Sequence, residues 1–241
     1  MASEPIPVRS VSLECRSCGA GAPLDEHFCP GCSRILALGR NGDYFTFFGL
    51  ERRLDLDPQD LERRFRELSR QFHPDFYYNA SPSERLASLE RSSYLNDAYR
   101  TLRSPAARVE YLLVVEGVSP AGGAEGSATG ANAKVPPALL EDVFALNEEL
   151  DEIREQREAG VDSARLRARL DTARVPIDRK RTAHERTLQE LSARWDAQQG
   201  APAAERRATL DALRDRLLER NYINNLLTTI EREAALLEGA S

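Results

Sequence analysis

Two groups of residues in this chain have the types and spacing to do chemistry. The first is a pair of C-x2-C knuckles, Cys15-Arg16-Ser17-Cys18 and Cys29-Pro30-Gly31-Cys32, separated by ten residues. Each knuckle wraps two thiolates around one ion, and the segment between them is long enough to bring the two halves together. Gly19 and Gly31 are read as relaxing the backbone where each knuckle turns. Four thiolates within tetrahedral reach select zinc, and a set with no open position is structural. Free thiols, a pair of disulfides and a redox dithiol are the alternatives, although a redox motif needs one C-x-x-C rather than two matched ones. His27 reads as a surface histidine, with replacement of one cysteine ligand as its alternative. Too few apolar residues surround the knuckles for such a module to fold without metal.

The second group is His73-Pro74-Asp75, at the end of a basic amphipathic segment. Leu61, Phe65, Leu68 and Phe72 recur at i, i+4, i+7 and i+11, which lines one face of a helix. Arg63, Arg66 and Arg70 stand away from that seam, and Arg64 lies nearer its border. Pro74 lacks an amide hydrogen and disfavours helical geometry at His73, so the helix stops there. Two polar side chains are thereby held beside a proline, next to a basic helical surface. That is the chemistry of recognition rather than of reaction. A plain helix-ending turn is the alternative, and a catalytic His/Asp dyad lacks a nucleophile or second base nearby in sequence.

The elements that must position these groups are helical. Asp43 to Leu50 reads as a stub helix capped by Asp43 and ended by Gly49. The segment from Ile35 reads as a connector, broken by Gly39 and Gly42. Asp57-Pro58 supplies an N-cap and a first-turn proline for the helix that runs to Phe72. Phe76 to Ala80 reads as irregular. Ser81-Pro82-Ser83-Glu84 begins a second long helix whose apolar side is Leu86, Leu89, Leu95, Ala98, Tyr99 and Leu102. It closes before Ser104-Pro105, and helix resumes through Val115 to Gly117. Two such helices joined by a rigid loop pack as an antiparallel hairpin. Ser119 to Lys134 is rich in Gly, Ala, Ser and Thr without periodicity, the composition of a tether. Pro136-Pro137 restarts helix, with Leu140, Val143, Phe144, Leu146, Leu150 and Ile153 on one side; Leu140 and Phe144 are expected to contribute core contacts. Runs over about Ser163 to Gln198, where Pro176 is expected to introduce a kink, and Ala203 to Leu237 complete a three-helix bundle. His184 and Trp195 read as structural.

Composition agrees. The chain has 241 residues, 30% of them charged and 7% aromatic, a mix that suits helices better than a β-sandwich. A formal net charge of −6 argues against a general nucleic-acid binder. No apolar run approaches the ~20 residues that span a bilayer, so no membrane association is expected. Met1 to Ser10 carries Glu4, Pro5 and Pro7 without the apolar core of a secretory signal, and only Arg9 as a base for a transit peptide; a cytoplasmic, reducing compartment follows. No Gly-rich phosphate loop is visible.

Asp43-Tyr44-Phe45, the arginine-bearing helix, His73-Pro74-Asp75 and Asn96-Asp97-Ala98-Tyr99-Arg100-Thr101-Leu102 resemble a J-domain. More narrowly they resemble the HscB family of J-type co-chaperones of iron–sulfur cluster assembly. That likeness continues through Glu110-Tyr111-Leu112-Leu113 and Asn147 to Ile153, covering roughly residues 43 to 237, and the tetracysteine module is similar to that of the family's animal type. The resemblance implies a mostly α fold with four parts: a zinc module over 1–40, a J-domain over 43–118, a linker over 119–135 and a scaffold-binding helical bundle over 136–241. It implies a non-enzyme that stimulates a DnaK/HscA-type chaperone ATPase and delivers an IscU-like scaffold protein to it. His73, Pro74 and Asp75 would touch the chaperone, with Arg63, Arg64, Arg66 and Arg70 meeting an acidic surface. Leu140, Phe144, Glu148 and Glu152 on one strip, with Tyr222, would hold the scaffold. Cys15, Cys18, Cys29 and Cys32 would hold one structural zinc. A general J-protein for other clients, and a zinc-dependent or redox enzyme, are the competing readings.

Overall fold

The computed structural model describes residues 12–23, 26–39, 42–119 and 139–238. The chain divides into two compact units, Met1–Tyr111 and Leu112–Ser241. The N-terminal stretch read for targeting signals, the tether over 119–135 apart from Ser119, and Pro136-Pro137 all lie outside the described residues.

The described residues of the first unit start with two small hairpins. Strand β1 (Ser12–Glu14) pairs antiparallel with β2 (Gly21–Pro23), Leu13 opposite Ala22. Phe28 and Ile35 form an antiparallel bridge that closes the second hairpin. Each hairpin turns through one C-x2-C. The two turns are alike: the Gly19 and Ser33 amides each donate to the carbonyl of the first cysteine of their knuckle at 2.8 Å. Gly19 and Ser33 occupy the same register position and both are left-handed, at φ +72° and +56°. Gly31 is not at that position, contrary to expectation. Its lack of a side chain serves close packing instead, because a Cβ there would lie 3.3 Å from the Ala20 methyl. The presumed connector is also part of this module, since Ile35 is buried and Leu36 packs in a small core with Cys15, Ala22 and Cys29.

Helices α1 (Tyr44–Phe47), α2 (Pro58–Phe72) and α3 (Pro82–Arg103) follow, and α4 (Pro105–Val115) runs across the division at Tyr111. Asp43 accepts the Thr46 amide at 2.8 Å, Asp57 the Gln59 amide at 2.9 Å, and Ser81 with Glu84 closes a reciprocal capping box; each satisfies an amide that helix geometry leaves orphaned. Gly49 ends α1 at φ +64°, where a Cβ would meet the Arg64 guanidinium at 3.4 Å. α2 and α3 pack on each other as the hairpin. The loop between them is more ordered than expected: Pro74–Tyr77 forms a single 3-10 turn.

The buried face of α3 departs from its sequence reading. Leu95, Ala98 and Leu102 are buried, but Leu86 and Leu89 are exposed, and Ala87, Ser88 and Arg91 are buried in their place. One residue of offset rotates a helical position by about 100°. Here small and polar side chains win the inner face because they meet a helix end and its backbone carbonyls rather than an apolar seam.

The second unit contains α5 (Leu140–Glu158), α6 (Ser163–Ala197) and α7 (Ala203–Glu238). Gly160 and Gly200 stand just beyond α5 and α6 in the left-handed region, the usual helix-stopping conformation. Leu146, Leu150 and Ile153 of α5 meet Leu166, Leu170 and Ile177 of α6 and Ile223, Leu227 and Ile230 of α7 in one core. α6 continues through Pro176. Trp195 is buried with Arg206 stacked 4.7 Å above its ring, and buried His184 donates from Nε2 to the Arg216 carbonyl at 2.7 Å; both are structural, as expected. Arg154 and Arg157 grip Glu233 across α5 and α7.

Candidate functional site

The four cysteines converge. Their sulfur atoms all lie within 4.8 Å of one another, with Cys15–Cys32 at 3.7 Å and Cys18–Cys29 at 3.5 Å. A tetrahedron of sulfurs ~2.3 Å from a central ion has edges of roughly 3.8 Å; the 3.7 and 3.5 Å pairs are close to that spacing, so the four sulfurs are placed to hold one metal ion. None is in a disulfide. Backbone amides of Ser17 and Cys18 hold the Cys15 thiol down to about 6. Cys32 is pushed up to about 12: the Arg34 amide lowers it, but desolvation and the other three thiols outweigh that. Four thiols this close cannot all ionise side by side without a cation among them, which is what a metal ion supplies.

His27 is neither a ligand nor a surface residue. Its Nδ1 lies 2.7 Å from the Arg91 guanidinium and its Nε2 lies 3.1 Å from the Phe47 carbonyl. Arginine only donates and a carbonyl only accepts, so Nδ1 is the acceptor and Nε2 carries the proton. Both ring nitrogens are thus occupied away from the sulfurs. The ring packs edge-on against Phe47 and Phe72, centroids 4.8 and 4.9 Å away.

At the end of α2, His73 and Asp75 are exposed, the His73 side chain at 52%. The ring accepts the Asp75 amide at Nδ1, 3.3 Å, and the Phe76 amide donates to the His73 carbonyl at 3.0 Å. Tyr77 Oη donates to the Gln71 carbonyl at 3.0 Å, fastening the turn to the helix that precedes it. Phe76 and Tyr78 are exposed beside it.

The four arginines differ. Arg64 donates to the Phe48 and Gly49 carbonyls at 3.0 and 3.2 Å and to Asp60 at 2.7 Å, so it is tied into its own fold. Arg63 pairs with Asp60 and, at 3.0 Å, with Glu67; Arg66 pairs with Glu62. Arg64 first and Arg63 second hold the Asp60 carboxyl below its ordinary range. Arg70 is exposed and has no partner among the described residues.

In the second unit, Leu140, Phe144 and Glu148 form an exposed strip on α5. Leu140 is 39% exposed and Phe144 69%, so the expected core contacts of these two are absent from the buried cluster. Leu139, one residue earlier and fully buried, takes the core position that Leu140 was given. Glu152 is exposed but pairs with Arg169 at 2.6 Å. Tyr222 is half-buried and packs on the bundle core. Beside the strip, Asp142, Ala145 and Glu149 of α5 and Arg165, Arg169 and Pro176 of α6 border a groove of about 610 Å³.

Arg91 is the site residue that sequence reasoning missed. It is 2% exposed and has no carboxylate partner among the described residues; instead it donates to the Leu36 carbonyl at 2.8 Å, the Ala37 carbonyl at 3.2 Å and His27. Burial pushes it down to about 10. Its guanidinium lies 5.6 Å from the Phe72 ring centroid. An arginine at an inward position of a helix is the only signal the sequence offers.

This architecture, a tetracysteine module and a helical hairpin in one unit with a three-helix bundle in the other, defines a class already known among solved structures. No protein-family model matches the chain. The crystal structure of human co-chaperone protein HscB superposes at a TM-score of 0.65, with 23% identity, covering 92% of this chain and 98% of that one. Chaperone HscB from Vibrio cholerae superposes at 0.57, with 27% identity, covering 81% of this chain and 99% of that one. The chain therefore has the fold of the HscB co-chaperones and resembles them along most of its length.

Proposed function

We propose that this chain is a co-chaperone that stimulates the ATPase of a DnaK/HscA-type chaperone and brings an IscU-like iron–sulfur scaffold to it. The observation that carries the reading is the exposed His73-Pro74-Asp75 turn, anchored at the end of an arginine-bearing helix in a chain that resembles HscB co-chaperones. His73, Pro74 and Asp75 contact the chaperone. Arg70 and the outward parts of Arg63 and Arg66 steer encounter with an acidic surface, because long-range charge raises association rates. Arg64, spent on the Phe48 and Gly49 carbonyls, supports the helix more than it recognises a partner.

The scaffold binds the α5 strip. Phe144 is an aromatic anchor left in water by the bundle, and such exposed aromatics are the residue type that dominates interface energetics. Glu148 supplies a free carboxylate beside it, with Glu152 and Tyr222 at the margin. The cysteines hold one structural zinc: the ligand set is all sulfur and offers no open coordination position. Cysteines that hold a metal and form no disulfide favour a reducing, cytoplasmic setting. The chain acts through contact and not as an enzyme.

The test is partner ATPase with and without scaffold, comparing wild type with His73→Gln. Loss of stimulation with the fold retained supports the reading; unchanged stimulation overturns it. Scaffold retained equally by wild type and Phe144→Ala would leave a general J-protein in its place. Turnover by the isolated chain that tracks Cys15 or Cys29 would make it a metal or redox enzyme.

A further inference from the structure

The tetracysteine hairpins and the His73 turn meet through one residue, Phe72. Pro74 forces α2 to end at Phe72, so the Phe72 carbonyl lacks the i+4 amide that a continuing helix would provide; the Phe76 amide goes to His73 instead. Two hydroxyls of α3 take its place, Ser88 Oγ at 2.6 Å and Ser92 Oγ at 2.9 Å. One turn of α3 carries both serines and, between them, Arg91. The Phe72 ring is fully buried against His27, Phe47 and Arg91.

Arg91 in turn is held from the metal-module side. Its acceptors are the Leu36 and Ala37 carbonyls, His27 and, at 3.4 Å, the Glu26 carbonyl. His27 stands two residues before Cys29 and Leu36 four residues after Cys32, and the Leu36 amide donates to the His27 carbonyl at 3.0 Å. The second knuckle therefore carries, on the two arms of one hairpin, the groups that fix a buried guanidinium. A guanidinium so buried, without a carboxylate, stays in place only while those acceptors do.

We infer that the tetracysteine module is a positioning element for the His73-Pro74-Asp75 turn, acting through His27 and Arg91 on Phe72. This rests on the reading of that turn as the chaperone contact. His27 and Arg91 touch no partner themselves. They set the direction in which α2 delivers His73, and metal held by the four cysteines keeps the hairpin that carries their acceptors closed.

The experiment uses the full chain loaded with zinc, its amide resonances assigned, and the metal then stripped with a chelator under reducing conditions and restored. Stripping is expected to shift or broaden the amides of Phe72, His73, Asp75 and Phe76, to leave the Leu146 and Ile230 resonances of the bundle in place, and to be reversed by zinc. His27→Ala is expected to bind the same amount of zinc yet display the shifted turn, and to lower maximal chaperone stimulation several-fold with scaffold retention unchanged. Turn resonances that stay put on stripping, or in His27→Ala, overturn the inference. Loss of every resonance of the first unit on stripping also overturns it, since the module would then be a requirement for folding and not a device for placing the turn. The resonance readout does not depend on the chaperone: if His73→Gln leaves stimulation intact, the functional reading fails while the positioning test still stands.

Discussion

Ser88 Oγ donates to the Phe72 carbonyl at 2.6 Å, inside the interface between α2 and α3. The serine lies on the buried face of α3, seven residues before the buried Leu95, and what it satisfies is the carbonyl orphaned by Pro74. Ser88→Ala should therefore destabilise the first unit by about 1 kcal/mol, since Ser92 still donates. Removing both hydroxyls should cost about 2–3 kcal/mol, more than additively, because the last donor to a buried acceptor goes. Urea unfolding followed by far-ultraviolet circular dichroism measures both, and equal small losses in single and double variants would contradict the role given to the pair.

Phe144 and Leu150 are six residues apart on α5, which places them on different faces of the helix, one exposed and one buried. Phe144→Ala should leave stability within about 0.5 kcal/mol of wild type, as an exposed side chain does, while scaffold affinity falls by about 2 kcal/mol, some 30-fold. Leu150→Ala, in the bundle core at 1% exposure, should lose about 2–5 kcal/mol of stability. Thermal unfolding alongside scaffold titration separates them. If Phe144→Ala binds scaffold as wild type does, the α5 strip is not the interface.

The helical pattern reveals most of the fold, because the caps Asp43, Asp57 and Ser81 and the breakers Pro74, Pro105 and Gly160 each act locally. The cysteine pair is legible for the same reason, being two copies of one short turn. What stays hidden is long-range. That Leu139 rather than Leu140 enters the bundle core depends on the angle at which α5 starts. That Arg91 is buried depends on carbonyls over fifty residues earlier in the chain. His27 sits close to the cysteines in sequence, which suggests a ligand or a surface residue; only its two hydrogen-bond partners reveal a latch. Ser33 mirrors Gly19 in register but not in residue type, so the left-handed turn at Ser33 is invisible to a rule that looks for glycine.

Arg70 and Arg64 separate recognition from support. Arg70→Ala should leave the melting temperature unchanged and slow association with the chaperone, an effect that shrinks as salt rises, because it removes only a solvated charge. Arg64→Ala should instead cost about 1–3 kcal/mol of stability, since the Phe48 and Gly49 carbonyls lose their donor. Stopped-flow association at two ionic strengths, paired with thermal melts, distinguishes the two. A salt-independent Arg70→Ala defect would argue against steering.

Glu84 gives the first unit an acid-sensitive joint. The Ser81 hydroxyl, and with it the Ser81 amide and Arg34, holds its carboxyl below the usual 4.5. A group whose folded value is depressed contributes stability that is complete above its unfolded value and is lost as pH falls through the folded one. Stability should therefore decline below about pH 4.5, and Glu84→Gln should flatten the part of that decline belonging to the capping box while lowering stability at neutral pH. Urea midpoints between pH 3 and 7 would measure it, and an unchanged acid slope in Glu84→Gln would mean that the Ser81–Glu84 box does not contribute to it.

Gly19 and Ser33 allow the backbone account of the two knuckles to be tested without touching a thiol. Gly19 is left-handed with nothing within 4 Å of a built Cβ, so Gly19→Ala meets no steric obstacle and bears only the conformational cost, about 1–2 kcal/mol. Ser33 already bears that cost, so Ser33→Gly should relieve part of it and stabilise the second knuckle by up to about 1 kcal/mol, the flexibility of glycine in the unfolded chain offsetting the rest. Both variants keep Cys15, Cys18, Cys29 and Cys32, so each should bind one zinc per chain, with affinity falling in the first and rising in the second. Competition against a chromophoric chelator reads the difference directly. The opposite order of affinities would mean that the two turns, alike in hydrogen bonding, are not alike in strain.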